Sequence, residues 1–297
     1  MPVVAKQPEP IIFGPWGKGL VNCVDQRFVP RDGLWAADNI DIDKLGLVTT
    51  RKKWDLLDSA HYKSLVEHNG TTYGVRNNEV GIIDQDAFTS IASVSGPVDW
   101  TVLDGDLVYT DFSVNKIIRG ASLVSLPTGY YENEEQDEYQ FDILPAGSFI
   151  FAWQGRLLVA RGRVLYWSDP LHYGVYSATR NRYNFGEYIL WVAPLDSGVY
   201  VGLENSVVFL SGADPNQFKR STVAGKSAPG VAAILDTKHS GKGVDVAIWL
   251  SEIGFAIGTP NGVVEYPQAE RLSNIPLLPG KLCIEGDRVY AFATAEY

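Results

Sequence analysis

Residues 154–167 read Gln154-Gly155-Arg156-Leu157-Leu158-Val159-Ala160-Arg161-Gly162-Arg163-Val164-Leu165-Tyr166-Trp167. A Gly turn opens an apolar run, a second Gly turn follows, and a further run ends on two aromatics. Short runs rich in β-branched, aromatic and aliphatic residues, bounded by tight turns, predict antiparallel hairpins. The unit recurs. Asn69-Gly70 precedes Thr71-Thr72-Tyr73-Gly74-Val75, Asp104-Gly105 precedes Asp106-Leu107-Val108-Tyr109-Thr110, and Ser197-Gly198 precedes Val199-Tyr200-Val201. Ile253-Gly254 precedes Phe255-Ala256-Ile257, and Glu285-Gly286 precedes Asp287-Arg288-Val289-Tyr290-Ala291. Strand-like runs such as 64–67 and 245–250 come before these turns, and third runs such as 79–83, 206–210 and 262–266 follow. Helical periodicity is nearly absent.

The turn glycines recur at irregular intervals of about 30 to 55 residues, close to the length of a four-stranded propeller blade. The reading is an all-β chain: an irregular β-propeller of about six blades, with five or seven also fitting. A small sheet with two apolar faces cannot cover itself, and stacking such sheets round an axis buries both faces. A β-sandwich or a pair of barrels would show fewer hairpins of this three-part form. The expected organisation is an N-terminal extension over 1–16 and one propeller domain over 17–297. Two segments break the rhythm, at about 127–145 and 169–187, and read as loop insertions. Long irregular insertions are commonly functional or mobile.

The chain carries 35 acidic against 25 basic residues, a net charge of −10. Gripping nucleic-acid phosphates needs Lys and Arg, so this balance disfavours specific DNA binding. It suits a wall that DNA slides past. The two cysteines, Cys23 and Cys283, form no metal-binding spacing and read as free thiols. If an N-terminal strand closes the last blade, these two should approach each other. No signal-like apolar run stands at the N-terminus and no stretch approaches a membrane span, so cytoplasmic synthesis and no membrane insertion are expected.

Candidate sites are weak. Glu132, Glu134, Glu135, Asp137 and Glu138 form the densest charge run and read as a loop at a lumen or an interface, or as a solvated loop. The spacing lacks the EF-hand pattern. Tyr173, Tyr176, Arg180, Arg182 and Tyr183 in the second insertion have the chemistry of subunit contacts, with blade packing as the alternative. Asp41 and Asp43 share a strand face beside Asp38 at a separation that glycosidase carboxylates also show, but carboxylates at alternate positions arise on any exposed strand. Gly225-Lys226-Ser227 has Arg220 where a phosphate loop needs its first Gly. A short basic turn spans 237–243. His61, His68, His172 and His239 stand alone, without a Gly-x-Ser-x-Gly elbow. No catalytic residue, cofactor or metal is expected.

One further stretch points to a family. Gly17-Lys18-Gly19-Leu20-Val21-Asn22 leads to Pro30-Arg31-Asp32-Gly33, then Ala37-Asp38-Asn39-Ile40-Asp41-Ile42-Asp43, Gly46, and Arg51-Lys52-Lys53-Trp54. Alternation around Gly46 predicts a hairpin over 39–51. This order of parts, over about residues 14 to 54, resembles the start of tail nozzle, hub and tail tubular proteins of short-tailed bacteriophages. Tyr166-Trp167-Ser168-Asp169 followed by a Tyr- and Arg-bearing insertion is similar to a mid-chain feature of the same proteins. The resemblance implies a structural virion protein, not an enzyme. It implies a ring, commonly of six copies, placed between portal or adaptor proteins and distal tail or fibre proteins, with DNA crossing its lumen. A monomeric carbohydrate-binding or carbohydrate-hydrolysing propeller is the alternative, with its site on the 132–138 loop and near Tyr173. A tail-tip or baseplate propeller contacting the host surface is the second.

Overall fold

The computed structural model describes residues 62–85, 87–128, 141–285 and 288–293; before these it describes Val24, Val29 and the backbone of four short strands. Gly19–Leu20 pairs in parallel with Gly33–Leu34. Ile40–Ile42 pairs antiparallel with Val48–Thr50, in the register Ile40 to Thr50 and Ile42 to Val48. The hairpin expected over 39–51 is therefore present in its backbone.

Five four-stranded antiparallel sheets follow in chain order. The first holds Leu65–His68, Thr71–Arg76, Glu79–Asp84 and Ala87–Ser93. The second holds Asp99–Leu103, Asp106–Thr110, Asn115–Arg119 and Ser122–Ser125. The third holds Phe149–Trp153, Arg156–Arg161, Val164–Trp167 and Arg182–Asn184. The fourth holds Ile189–Leu195, Gly198–Leu203, Val207–Ser211 and Lys219–Ala224. The fifth holds Ser227–Leu235, Val246–Ser251, Gly254–Gly258 and Val264–Glu265. A sixth sheet of two strands, Gly280–Glu285 and Arg288–Ala293, ends the described chain. The first strands of successive sheets, from the second to the sixth, lie next to one another and form the inner wall. The architecture is a β-propeller.

The core is not one mass. It divides into five layers, each between two neighbouring blades. Val75, Leu107 and Tyr109 fill the first, between blades one and two. Val108, Ile150 and Leu157 fill the second. Leu158, Leu165, Trp167, Val201 and Leu210 fill the third. Trp191, Tyr200, Phe209 and Trp249 fill the fourth. Leu235, Val246 and Ile248, against Leu282 and Ile284, fill the fifth. Alternate residues of one strand serve different layers: Leu107 and Tyr109 face backwards, while Val108 between them faces forwards. Both sheet faces are thus buried, which explains strands of nearly continuous apolar residues such as Leu157–Ala160.

Polar bonds join the blades as well. The indole N–H of Trp100 donates to Ser64 Oγ at 2.7 Å, that of Trp153 to the Leu195 carbonyl at 2.7 Å, and that of Trp191 to Ser227 Oγ at 2.8 Å. Each bond crosses from one blade to the next. Trp167 and Trp249 Nε1 are also buried but have no acceptor among the described residues. On the inner strand of the second blade, Asp99 Oδ2 accepts the Ile150 N–H at 2.9 Å and Thr101 Oγ1 accepts the Ala152 N–H at 2.9 Å. These side chains satisfy donors on the inner edge of the third blade, where no further strand can pair.

Three turns between first and second strands share one geometry. Asn69 and Gly70, Asp104 and Gly105, and Gln154 and Gly155 all have positive φ, as two-residue type I′ hairpin turns require. The repeat read from sequence is therefore real, but one unit is out of phase. Gly254 opens the third strand of its blade, not the second. The first-to-second connection of the fifth blade is instead the 236–245 stretch, which carries a one-turn helix, Thr237–Ser240.

The insertion expected over 169–187 also divides differently. Arg182–Asn184 is the outer strand of the third blade. Val175–Ser177 pairs with Phe141–Ile143 to form a two-stranded flap outside the blades. Only the remainder is irregular.

Close approach explains one glycine. A Cβ on Gly202 would stand 2.2 Å from the Trp191 ring. Gly202→Ala should therefore lower unfolding stability by about 1–3 kcal/mol through overpacking of the fourth layer, read as a lower midpoint in urea with unchanged slope; an unchanged midpoint would show that the indole moves aside freely.

Asp99 generates a pH effect. Burial pushes its carboxyl up to about 6, against the lowering pull of the Ile150 N–H and of Lys281 on the sixth sheet. A carboxyl raised on folding binds more protons in the native state, so its contribution to stability falls as pH rises from about 4 to about 6. Asp99→Asn keeps an acceptor for Ile150 and removes the titration. Its stability should vary less than that of the parent between pH 4 and 6.5 in urea titrations, and equal slopes for both proteins would refute the assignment.

Candidate binding face

An antiparallel meander sends its turns alternately to opposite ends of the ring. First-to-second and third-to-fourth turns share one end. Second-to-third turns and the links between blades share the other. This second end holds two hollows. One is a cleft of about 670 Å³ between the fourth and fifth blades, bordered by Leu190, Glu204, Lys226, Ser227, Glu252 and Asn274. The other is a hollow of about 360 Å³ between the second and third blades, bordered by Asn115, Lys116, Leu126, Leu144 and Gly174.

The cleft is held in place from below and from its rim. Ser227 is buried and accepts the Trp191 indole N–H. The Ile275 N–H donates to the Glu252 carbonyl at 2.8 Å and pins the 266–279 link against the turn. Glu204 Oε2 accepts the Tyr188 N–H at 3.2 Å. The opening therefore presents two carboxylates and one ammonium on a partly aliphatic lining. It has polar groups that can orient a ligand, but no cysteine, histidine or hydroxyl paired with a base for nucleophilic chemistry. Among the described residues no group of three His, Cys, Asp or Glu side chains is placed to hold a metal ion.

Asp111 organises the same end beside the smaller hollow. Burial would raise its carboxyl, but the Ser95, Val114 and Ser113 N–H groups and the Ser113 hydroxyl donate to it and hold it below the usual range. One carboxylate thus fixes both the second-to-third turn of the second blade and the link that precedes that blade.

The residues singled out from sequence scatter. Glu132, Glu134, Glu135, Asp137 and Glu138 lie outside the described residues, as do Asp38, Asp43, His61 and Cys23. Asp41 is the middle residue of the Ile40–Ile42 strand. Cys283 is exposed on the inner strand of the sixth sheet. Tyr173 and Tyr176 pack against the layer between the second and third blades, and the Tyr176 ring meets Tyr166 edge-on at 5.5 Å. Burial first, then Asp104 for Tyr173 and Asp142 for Tyr176, raises both phenols. Tyr183 packs on the next layer with its ring 4.9 Å from Phe185. These three tyrosines contribute to blade packing. Arg180 pairs with Asp169 at 3.5 Å, and Arg182 is exposed on the outer strand.

Other features have local explanations. Ser168 Oγ accepts the Leu157 N–H at 2.9 Å and buried Asp169 accepts the Asn181 amide at 2.6 Å, so the Trp-Ser-Asp run closes its strand by hydrogen bonds. His68 bonds the Gly105 carbonyl across blades, His172 bonds the Pro170 carbonyl, and His239 meets Asp236 at the short helix. Gly225 and Lys226 form the two-residue link between the fourth and fifth blades and have no phosphate-loop geometry. Lys242 pairs with Glu265 at 2.6 Å. The cleft residues Glu204, Glu252 and Asn274 escaped the sequence reading because each sits alone in a turn or link, and Lys226 is weighed there only as part of a phosphate loop. The phase of the strands, once correct, would have gathered them at one end.

No protein-family model matches the chain, and no curated protein matches it in sequence. Solved structures do. BBS1N, from its complex with ARL6DN, is 15% identical with a TM-score of 0.53, over 82% of this chain and 78% of that one. The extracellular domain of the hybrid two-component system BT4673 from B. thetaiotaomicron is 10% identical with a TM-score of 0.49, over 82% of this chain. This chain spans only 33% of that one. The gluconolactonase XC5397 from Xanthomonas campestris is 9% identical with a TM-score of 0.43, over 75% of each chain. The likeness to BBS1N bears on the fold alone and agrees with a β-propeller.

Proposed function

We propose that the chain is a structural protein of a bacteriophage tail, a nozzle or hub subunit that assembles with copies of itself into a ring. The ring, commonly of six copies in the proteins it resembles, connects portal or adaptor proteins to distal tail or fibre proteins, and DNA passes through its lumen without specific binding. The observation that carries this reading is the segment over residues 14–54. Its order of Gly, Pro-x-x-Gly, Ala-x-Asn-Ile-Asp-Ile-Asp and Arg-rich return resembles the start of those proteins, and its central part pairs as Ile40–Ile42 with Val48–Thr50. The propeller fold and the net charge of −10 are consistent with it. A ring needs one pair of complementary patches per subunit, and heterologous contacts of this kind close into a ring when the rotation from one subunit to the next divides a full turn. The carbohydrate alternative placed its site on the 132–138 loop, which lies outside the described residues, and on the aromatic insertion near Tyr173, which is partly buried against the layer between the second and third blades.

The reading requires the chain to be a component of the particle. Peptide mass spectrometry of purified phage particles from the source should find it in copy number comparable to other tail-ring proteins. Mass photometry of the purified chain, alone and after co-expression with the neighbouring tail proteins, should give a species near six times the 32.7 kDa chain mass. Absence from particles, together with a monomer under both conditions, would overturn the proposal.

A further inference from the structure

The inner strand of the fifth blade breaks where it borders the larger cleft. Ser227 pairs with Ser251 and the next pair is Ala232 with Trp249, so residues 228–231 stand opposite Leu250 alone. Ala228 and Val231 are buried and anchor this bulge. Gly230 turns it at a φ of 70°, and a Cβ there would lie 2.7 Å from the Gly280 carbonyl oxygen of the sixth sheet. Pro229, which has no N–H to give a ladder, is left on the wall of the cleft. Bulges end strand pairing and re-aim side chains beside functional sites. On the facing wall the 266–279 link turns at Asn274, with a φ of 54°, and lays Ile275 and Leu277 along the opening.

We infer that this cleft binds a short unmodified peptide as a zwitterion. The α-ammonium sits at Glu252 and Glu204, the α-carboxylate at Lys226, and the aliphatic side chains lie on Leu190, Ile275 and Leu277.

The arrangement of charge selects this ligand. Glu204 stands in a turn of the fourth blade, Lys226 in the link to the fifth, and Glu252 in a turn of the fifth. All three are exposed on the lining of one cleft, yet among the described residues none of them forms an ion pair. The Tyr188 N–H holds the Glu204 carboxylate at 3.2 Å. Opposite charges fixed on separate elements, and too far apart to neutralise one another, are satisfied together by one molecule that carries both signs. Two carboxylates against one ammonium repel a phosphate or a polyanion. The lining has no aromatic ring on which a sugar could stack. The volume of about 670 Å³ lies in the range of sites that enclose most of a small ligand, roughly 300–1,000 Å³, and leaves room for more than a single amino acid. The site belongs to the single chain, in or out of a ring.

The test is isothermal titration calorimetry of the full chain at low ionic strength with trileucine, N-acetyl-trileucine, trileucine amide and the doubly capped peptide. Trileucine should bind at millimolar concentration, and each cap should weaken binding by about threefold to fivefold, the size expected of one exposed ion pair. In the double variant Glu204→Gln/Glu252→Gln the N-acetyl group should no longer matter, while amidation still weakens binding. In Lys226→Met the pattern should reverse. All three positions are exposed, so melting midpoints close to that of the parent are expected and confirm that each variant is folded. Equal binding of trileucine and the doubly capped peptide would overturn the inference. So would cap effects that persist in the matching variants, or no heat of binding from trileucine with the parent chain.

Discussion

A four-stranded sheet with apolar side chains on both faces cannot bury itself, and every other feature of this protein depends on that constraint. Leu107 and Tyr109 point one way and Val108 the other, so the second blade needs a partner on each side. A row of such sheets is stable only when each has two neighbours. Curling the row round an axis is the economical solution. The core then consists of layers between blades, and inner-edge donors such as Ile150 N and Ala152 N must find side-chain acceptors instead of strands.

The aromatic residues show how closely the layers are fitted. Trp191, Trp249 and Tyr200 meet at centroid distances of 5.4 and 5.5 Å, and Tyr200 donates its hydroxyl to the Thr259 carbonyl at 2.7 Å. Large rings of this kind favour offset and tilted contacts and keep a polar end for bonding. Trp100, Trp153 and Trp191 use that end to reach a neighbouring blade. Packing and hydrogen bonding thus act across the same boundary.

The fold was legible because its signals are local. Asn69-Gly70, Asp104-Gly105 and Gln154-Gly155 mark turns by backbone chemistry alone, and the runs beside them have strand composition throughout. Phase was less legible. Ile253-Gly254 carries the same local signal but joins different strands, since the fifth blade spends its first connection on Thr237–Ser240. Arg182–Asn184 looked like part of a polar insertion because a three-residue outer strand with two exposed positions has no alternation to detect. The site was least legible. Glu204, Lys226, Glu252 and Asn274 are brought to one cleft by connections far apart in the chain. Tyr173 and Tyr176 carried interface chemistry in the sequence, yet their flap folds back onto a blade boundary, where rings are equally welcome.

The alternation of turns gives the ring two unlike ends. At one, three two-residue turns with positive φ at both positions fix the path of the backbone, while the 236–245 connection of the fifth blade and the 168–181 connection of the third are much longer. At the other, links range from the two residues 225 and 226 to the 126–148 stretch that contains a strand of its own. Length therefore varies at both ends, and only the positive-φ turns of the first three blades hold the backbone to one path. A peptide graft or a reporter would be tolerated on the linker end at little cost to the barrel of blades beneath it, and the same graft at Asp104-Gly105 would break the hairpin that sets the register of a whole blade.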